Sequence, residues 1–256
     1  MNAELAAVID RARFLLLDFD GPVCKVFANH SAPQVAAMLC RLLVDLGVAL
    51  PPGLLDESDP LAVLRWSATL NRPAIVRRID DALRTAELDA VTVAEPTPYA
   101  REVIVTAHQA QRGIAIVSNN SADAVTQYLI ARQLNAYINP VIGRPHAHPA
   151  GMKPNPAPVL AAICELHADP EDCVLIGDSP TDIEAAQAVG VPTIGYANKP
   201  RKYHSLSRSD AIIGSMADVV AALTGRRVQG GRPASHEGGS RVVRRAGSRQ
   251  HETGAT

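Results

Sequence analysis

Apolar residues run without interruption from Phe14 to Leu17 and end in Asp18-Phe19-Asp20-Gly21. A short continuous apolar run predicts a strand buried on both faces, as in a parallel sheet. Carboxylates two residues apart point to opposite faces of a regular strand, so Asp18 and Asp20 can share a task only if the chain turns. Gly21-Pro22 supplies that turn signal. The next buried strand of this kind covers residues 113–118, and the stretch between is too long to be a loop. Within it, helical spacing predicts helices over 31–47, closing on Gly47, from Asp59-Pro60 to about residue 70, and over 74–88.

A capped helix over 97–112 leads into the strand at 113–118, and from there the two periods alternate. The pattern predicts helices over 122–133, 157–167, 181–189 and 216–223, and strands over 136–142, 173–176, 191–196 and 211–213. Alternation of this kind makes parallel strands joined by right-handed crossovers, a doubly wound α/β sheet with a helical insertion after its first strand. The expected division is a core of residues 1–23 and 97–224, a small helical domain of 24–96, and a tail of 225–256. Ligands of such sheets bind beyond the carboxyl ends of the strands. That edge receives Asp18 and Asp20, Ser118-Asn119-Asn120, and Gly177-Asp178-Ser179-Pro180-Thr181-Asp182.

Hydrophobic residues make up 47% of the chain but aromatics only 4%, so the core is expected to be aliphatic. The net charge of −1 hides an asymmetry: residues 225–256 hold seven arginines against two glutamates, +5, which leaves −6 for the remainder. That tail, rich in Gly, Ser and Arg, is expected to be disordered. Without interleaved aromatics it is read as a solvated tail before a nucleic-acid or acidic-partner contact. Cys24, Cys40, Cys164 and Cys173 show no metal-ligand spacing and are expected to be reduced thiols. No basic-apolar leader and no spanning run is seen, so the expected location is the cytoplasm, with no membrane partner.

An acidic cluster with a serine and a lysine nearby suits a divalent cation and a phosphoryl group, because Mg²⁺ takes hard carboxylate oxygens and neutralises phosphate charge. Asp18 is the candidate nucleophile, and its approach to a phosphate dianion requires a cation such as Lys153 beside it.

Asp18-Phe19-Asp20-Gly21, Ser118-Asn119, Lys153-Pro154 and Gly177-Asp178-Ser179-Pro180-Thr181-Asp182 resemble the four motifs of the haloacid dehalogenase superfamily. The resemblance spans residues 13–199 and implies a Rossmann-like core with the 24–96 insertion as a helical cap, as in phosphoglycolate phosphatases and β-phosphoglucomutases. It implies Asp18 as nucleophile forming an aspartyl-phosphate, and Asp20 as acid and then base. Ser118 and Lys153 hold the phosphoryl oxygens, and Asn119 contributes its backbone N–H. Mg²⁺ falls to Asp18, the main-chain carbonyl of Asp20, and Asp178, with Asp182 completing or orienting the set. The implied activity is Mg²⁺-dependent hydrolysis of a small phosphorylated metabolite. A phosphomutase and a catalytically weak binding or regulatory protein are the alternatives. One departure is Pro22, where the superfamily usually has Thr or Val.

Other residues carry weaker signals. His146-Ala147-His148 has no third ligand nearby and reads as a polar loop. Arg144 reads equally as a contact to a substrate anion or as solvent-facing. Arg65 and Trp66 line either a pocket or a small helical core, and Cys24 is assigned to packing.

Overall fold

The computed structural model describes residues 3–229. Six parallel strands form one sheet: β1 (Phe14–Leu17), β4 (Gly113–Val117), β5 (Val141–Ile142), β6 (Cys173–Gly177), β7 (Thr193–Tyr196) and β8 (Ala211–Ile213). Their spatial order is β5-β4-β1-β6-β7-β8, so the chain leaves β1 toward one edge and then returns to build the other. Leu17 is level with Ile116 of β4 and Ile176 of β6. Asp18, Ser118 and Asp178 therefore emerge within one residue step of a common level, at the point where strand order reverses.

The burial pattern follows from the pleat. Leu15 and Leu17 point to one face with Ile114, Ile116, Val174 and Ile176; Leu16, Ala115, Val117 and Leu175 point to the other. The first face is covered by α1 (Ala3–Arg11), α6 (Ala100–Gln109), α7 (Ala122–Ala131) and α11 (Met216–Gln229). The second is covered by α8 (Ala157–Leu166) and α9 (Pro180–Gln187). Both faces are closed, which explains why the strands read as continuous apolar runs.

Between β1 and β4 the chain forms α2 (Ala32–Asp45), α3 (Pro52–Leu55), α4 (Pro60–Ala68) and α5 (Pro73–Thr92). They are flanked by β2 (Cys24–Lys25) and β3 (Glu95–Pro96), which pair antiparallel. Helices α2, α4 and the first half of α5 enclose their own apolar cluster, with Leu39, Leu43, Leu64 and Ile79 fully buried. Asp59 caps α4 by accepting from the Leu61 N–H at 2.9 Å. Helix α5 outlasts the helix expected over 74–88, and its last turns, with Ala90 and Val91, are buried in the sheet's cluster. One helix thus belongs to both hydrophobic cores.

Two expectations are corrected. The strand expected over 136–142 is a 3₁₀ turn at Asn135–Tyr137 followed by the two residues of β5. Pro140 has no N–H to give a ladder, and the segment hangs on β4 through the Asn139 N–H and the Pro140 carbonyl. The last helix does not stop at residue 223 but continues to Gln229, because the start of the Arg-rich stretch carries no breaker strong enough to end it. The rest of the tail expected to be disordered lies outside the described residues. Helix α1 and the short α10 (Lys202–Ser205) did not stand out in the pattern. Among the described residues no helix is long and apolar enough to cross a membrane.

Candidate active site

Strand β1 delivers Asp18 into a nearly solvent-free position, with its N–H donated to the Ile176 carbonyl at 2.9 Å. The backbone then turns sharply. Gly21 has φ +113°, and a Cβ there would collide with the Asp178 carboxyl, so only glycine lets this turn lie against β6's loop. Its N–H bonds the Cys24 carbonyl at 2.7 Å, and its carbonyl accepts from Thr97 Oγ1 at 2.5 Å. Pro22 is buried in the middle of this turn. The loop is held instead by Val23 and Cys24 N–H groups on the Phe19 carbonyl, and by the Thr97 N–H on the Val23 carbonyl at 3.0 Å.

Lys153 is almost completely buried, at 1% exposure, and its ammonium is saturated. It lies 2.9 Å from Asp18 Oδ1 and 2.6 Å from Asp182 Oδ1, and donates to the Val117 carbonyl at 2.6 Å. Three N–H groups meet three acceptors. The Lys153 backbone is gripped by Asn119, whose Oδ1 accepts the Lys153 N–H at 2.9 Å and whose Nδ2 donates to the Lys153 carbonyl at 3.1 Å. Asn119 therefore acts visibly through its side chain, a role additional to the backbone contribution expected of it.

Asp182 has both oxygens engaged. Oδ2 accepts from the Asp178 and Ser179 N–H groups and from Ser179 Oγ, closing a capping box at the start of α9, while Oδ1 meets Lys153. Its cap role and its site role coexist, and of the two expectations, completing or orienting the metal set, the geometry fits orienting. Gly177 permits this, since a Cβ there would meet the Asp182 side chain. Asp178 is ion-paired with Lys202 of α10 and lies 3.5 Å from Asn198 Nδ2. Lys202 was not visible as a site residue in the sequence, because nothing in its spacing marks it. Ser118 Oγ accepts the Asn120 N–H at 3.1 Å and is 3.2 Å from Asn120 Oδ1.

The charges explain the titration. Burial, then repulsion from Asp182, pushes Asp18 up to about 8 against the pull of Lys153. Asp20 opens onto the cavity while protein walls remove bulk water around it, and its carboxyl rises to about 6 even though its Oδ1 accepts the Val26 N–H at 2.9 Å. Burial raises Asp178 as well, opposed by Lys202. Burial alone would lower Lys153, but Asp18 and Asp182 carry its ammonium above its ordinary value. One oxygen each from Asp18, Asp178 and Asp182 lies within 4.8 Å of the others. Hard carboxylate oxygens set this close are the donors a divalent cation takes, and burial holds the Asp18 and Asp178 carboxyls above their ordinary range, so the residues fit such an ion.

Over these groups stands a cavity of about 490 Å³, walled from the helical side by Phe27, Leu61, Arg65 and Leu83. That is the size of a small-molecule site. Arg65 lines it, whereas Trp66 packs against the helical core. Arg144 is neither solvent-facing nor in the cavity: it is buried between Asp80 and Glu87 of α5. The reason lies on α5, which turns two acids inward that only a guanidinium on the facing loop can neutralise. His146 is exposed and paired with Asp81 at 2.8 Å, and the acid cluster contains neither it nor His148. Cys24 is buried, and burial pushes its thiol far above its ordinary value, with Asp20 adding to the effect. A nucleophilic thiolate is excluded there.

A doubly wound parallel sheet, a buried carboxylate at the end of its central strand, a lysine held against it and a second acid loop beside it define a Rossmann-like α/β core with an acid-cluster site at its strand ends. The chain belongs to the haloacid dehalogenase-like hydrolase family, whose profile matches residues 66–196. It is 28% identical over 236 residues to a phosphoglycolate phosphatase of Pectobacterium atrosepticum, covering 86% of this chain and 94% of that one. It is 30% identical over 128 residues to a phosphoglycolate phosphatase of Salmonella typhi, covering 49% of this chain. The match spans about half the length of the latter relative, 50%. The fold is similar to the crystal structure of CbbY from Rhodobacter sphaeroides in complex with phosphate, with TM-score 0.65, 18% identity, and coverage of 83% of this chain and 99% of that chain.

Proposed function

We propose that the chain is a Mg²⁺-dependent phosphatase that hydrolyses a small phosphorylated metabolite in the cytoplasm through an aspartyl-phosphate. The observation that carries this reading is Asp18 held against the Lys153 ammonium at the floor of the cavity, with Asp178 beside it. Asp18 attacks phosphorus, and Lys153 and Ser118, with the Asn119 N–H, hold the phosphoryl oxygens. Asp20, with its carboxyl at about 6, delivers a proton to the leaving oxygen and then takes one from the attacking water. Asp18, the Asp20 carbonyl and Asp178 would hold the ion, with Asp182 orienting Lys153 and the Asp178 loop. When bound, Mg²⁺ supplies charge neutralisation between the carboxylate and the phosphoryl group. Helices α2 to α5 are taken as a cap that restricts water over the reacting centre. The phosphoglycolate phosphatase relatives support a small phosphorylated carboxylic acid among the substrates to be tried first.

Hydrolysis of p-nitrophenyl phosphate with Mg²⁺, with EDTA, and by an Asp18→Asn variant tests the reading. Metal-dependent turnover absent from the variant is expected. Wild type no faster than the variant across a phosphoester panel sinks it. Product analysis with a sugar phosphate separates a phosphatase from a mutase, which returns the phosphoryl group to its substrate.

A further inference from the structure

Asp80 and Glu87 lie two turns apart on α5 and both turn inward, an arrangement costly for a helix face that is otherwise apolar. Arg144, from the loop after β5, fills the space between them. Its Nε and NH2 meet Asp80 Oδ1 at 2.8 and 2.7 Å, and NH1 meets Glu87 Oε1 at 2.7 Å. These side chains are 1 to 3% exposed.

The network does not stop at the ion pairs. Arg144 NH1 donates to the Asn119 carbonyl at 2.9 Å, and the Arg144 N–H to the Asn120 carbonyl at 2.8 Å. Glu87 accepts from Asn120 Nδ2 at 3.2 Å and from the Ser121 N–H at 3.0 Å. Each residue that follows Ser118 in this segment is thus tied to α5 or to its arginine. Asn119 in turn grips the Lys153 backbone from both sides. A buried ion triad is a poor way to add stability, since apolar residues of like volume often hold such a joint as well or better. What it supplies is direction: a planar fork and two carboxylates fix donors and acceptors to narrow positions.

We propose that Arg144 and Glu87 are positioning residues that hold the Ser118-Asn119-Asn120 segment, and through Asn119 the Lys153 backbone, in the geometry that binds the phosphoryl group. The inference rests on the phosphatase reading. Neither residue touches the reacting atoms. Glu87 reaches the cavity wall, yet both its oxygens are engaged, and freeing it from Arg144 would turn an uncompensated carboxylate toward the phosphate. The carboxylates proposed to hold the cation stand on β1 and the β6 loop and make no contact with the triad.

The test uses Glu87→Gln, Arg144→Met, and an apolar triple, Asp80→Leu with Arg144→Met and Glu87→Leu, which keeps the joint filled. Inorganic phosphate binding with Mg²⁺ present, Mg²⁺ binding alone, KM, kcat and thermal midpoint are measured for each. Phosphate affinity is expected to fall and KM to rise by about tenfold or more in every variant that folds, with Mg²⁺ affinity kept within about twofold. The triple is expected to keep those defects at a thermal midpoint near that of wild type. Wild-type phosphate affinity in a folded triple or in Glu87→Gln overturns the inference and leaves the triad a mere joint. Parallel loss of Mg²⁺ affinity overturns it too, since that marks general disruption. Wild type that neither turns over a phosphoester nor binds phosphate is a different failure, that of the phosphatase reading itself.

Discussion

Two groups of buried charge flank the Ser118-Asn119-Asn120 segment, and they are balanced differently. Around Arg144, Asp80 and Glu87 have each carboxylate oxygen matched by a guanidinium, an amide or a backbone N–H. Around Lys153, among the described residues, the ion pairs of the four aspartates Asp18, Asp20, Asp178 and Asp182 go to just two lysines, Lys153 and Lys202, and three of the four are pushed above the ordinary carboxylate range. The first group can be complete without a ligand. The second keeps an excess of negative charge at the floor of a cavity, which is costly in a folded core unless a cation joins it. Unbalanced charge marks the reactive edge, and balanced charge marks its support.

The largest effect that would break this contrast is on turnover. Asp18→Asn removes the proposed nucleophile while keeping its shape, and activity is expected to drop by at least about a thousandfold. Steady-state hydrolysis with Mg²⁺ reads this out, and residual activity above about a tenth of wild type would move the nucleophile elsewhere.

The next effect separates the groups by stability. Arg144→Met leaves Asp80 and Glu87 buried without their counter-charge and is expected to cost about 3 to 5 kcal/mol in chemical denaturation. Asp18→Asn, which removes charge from an overcharged cluster, is expected to leave the metal-free protein as stable as wild type or more so. A metal-free Asp18→Asn protein that loses as much as Arg144→Met would mean that the two networks do the same job.

The two regions also differ in how far they can be read from the sequence. The acid cluster was legible because Asp18 and Asp178 each end a run of buried apolar residues, and a strand end converts sequence order into spatial order. Asp182 was legible twice, as a helix cap and as a site acid, and its two oxygens divide those tasks. The support was not. Asp80 and Glu87 sit among Val76, Ile79, Leu83 and Ala86 at helical spacing, and acids on an apolar face were the available signal. Their partner lies on another element, so the pairing depends on how α5 crosses the sheet. Thr97 and Lys202 belong to the same class of contact, formed only when distant segments meet. The strand expected over 136–142 failed for a local reason, Pro140, whose missing N–H was present in the sequence but outweighed there by the apolar run.

A third expected outcome concerns pH in the absence of metal. The Asp18 carboxyl stands at about 8 in the folded protein and near 4 in an unfolded chain. A raised pKa means that its favourable contribution is present below about pH 4 and is lost as pH rises toward 8. In EDTA, the thermal midpoint of Asp18→Asn is therefore expected to gain on wild type steadily between pH 5 and 8. Mg²⁺ is expected to raise the wild-type midpoint at pH 8 and to leave the variant nearly unmoved. A gap between the two proteins that stays constant with pH would show that Asp18 is not strained by its surroundings.

The smallest effect probes the turn that carries both proposed catalytic acids. Pro22 offers no N–H and no hydroxyl, and Thr97 supplies a hydroxyl to the Gly21 carbonyl and an N–H to the Val23 carbonyl instead. Thr97→Val keeps volume and the backbone contact but leaves the Gly21 carbonyl without its hydroxyl partner, at an expected cost of about 1 to 2 kcal/mol. For a chain of this size that lowers the thermal midpoint by roughly 2 to 8 °C. Thr97→Ser keeps the hydroxyl and is expected to stay close to wild type in kcat, whereas Thr97→Val is expected to lose severalfold with KM little changed, because the turn fixes Asp18 and Asp20 rather than the phosphate loop. The same substitutions separate the two regions once more: a change at Thr97 acts on kcat, and a change at Arg144 on KM. Equal kcat values for the serine and valine variants would remove Thr97 from the support of this turn.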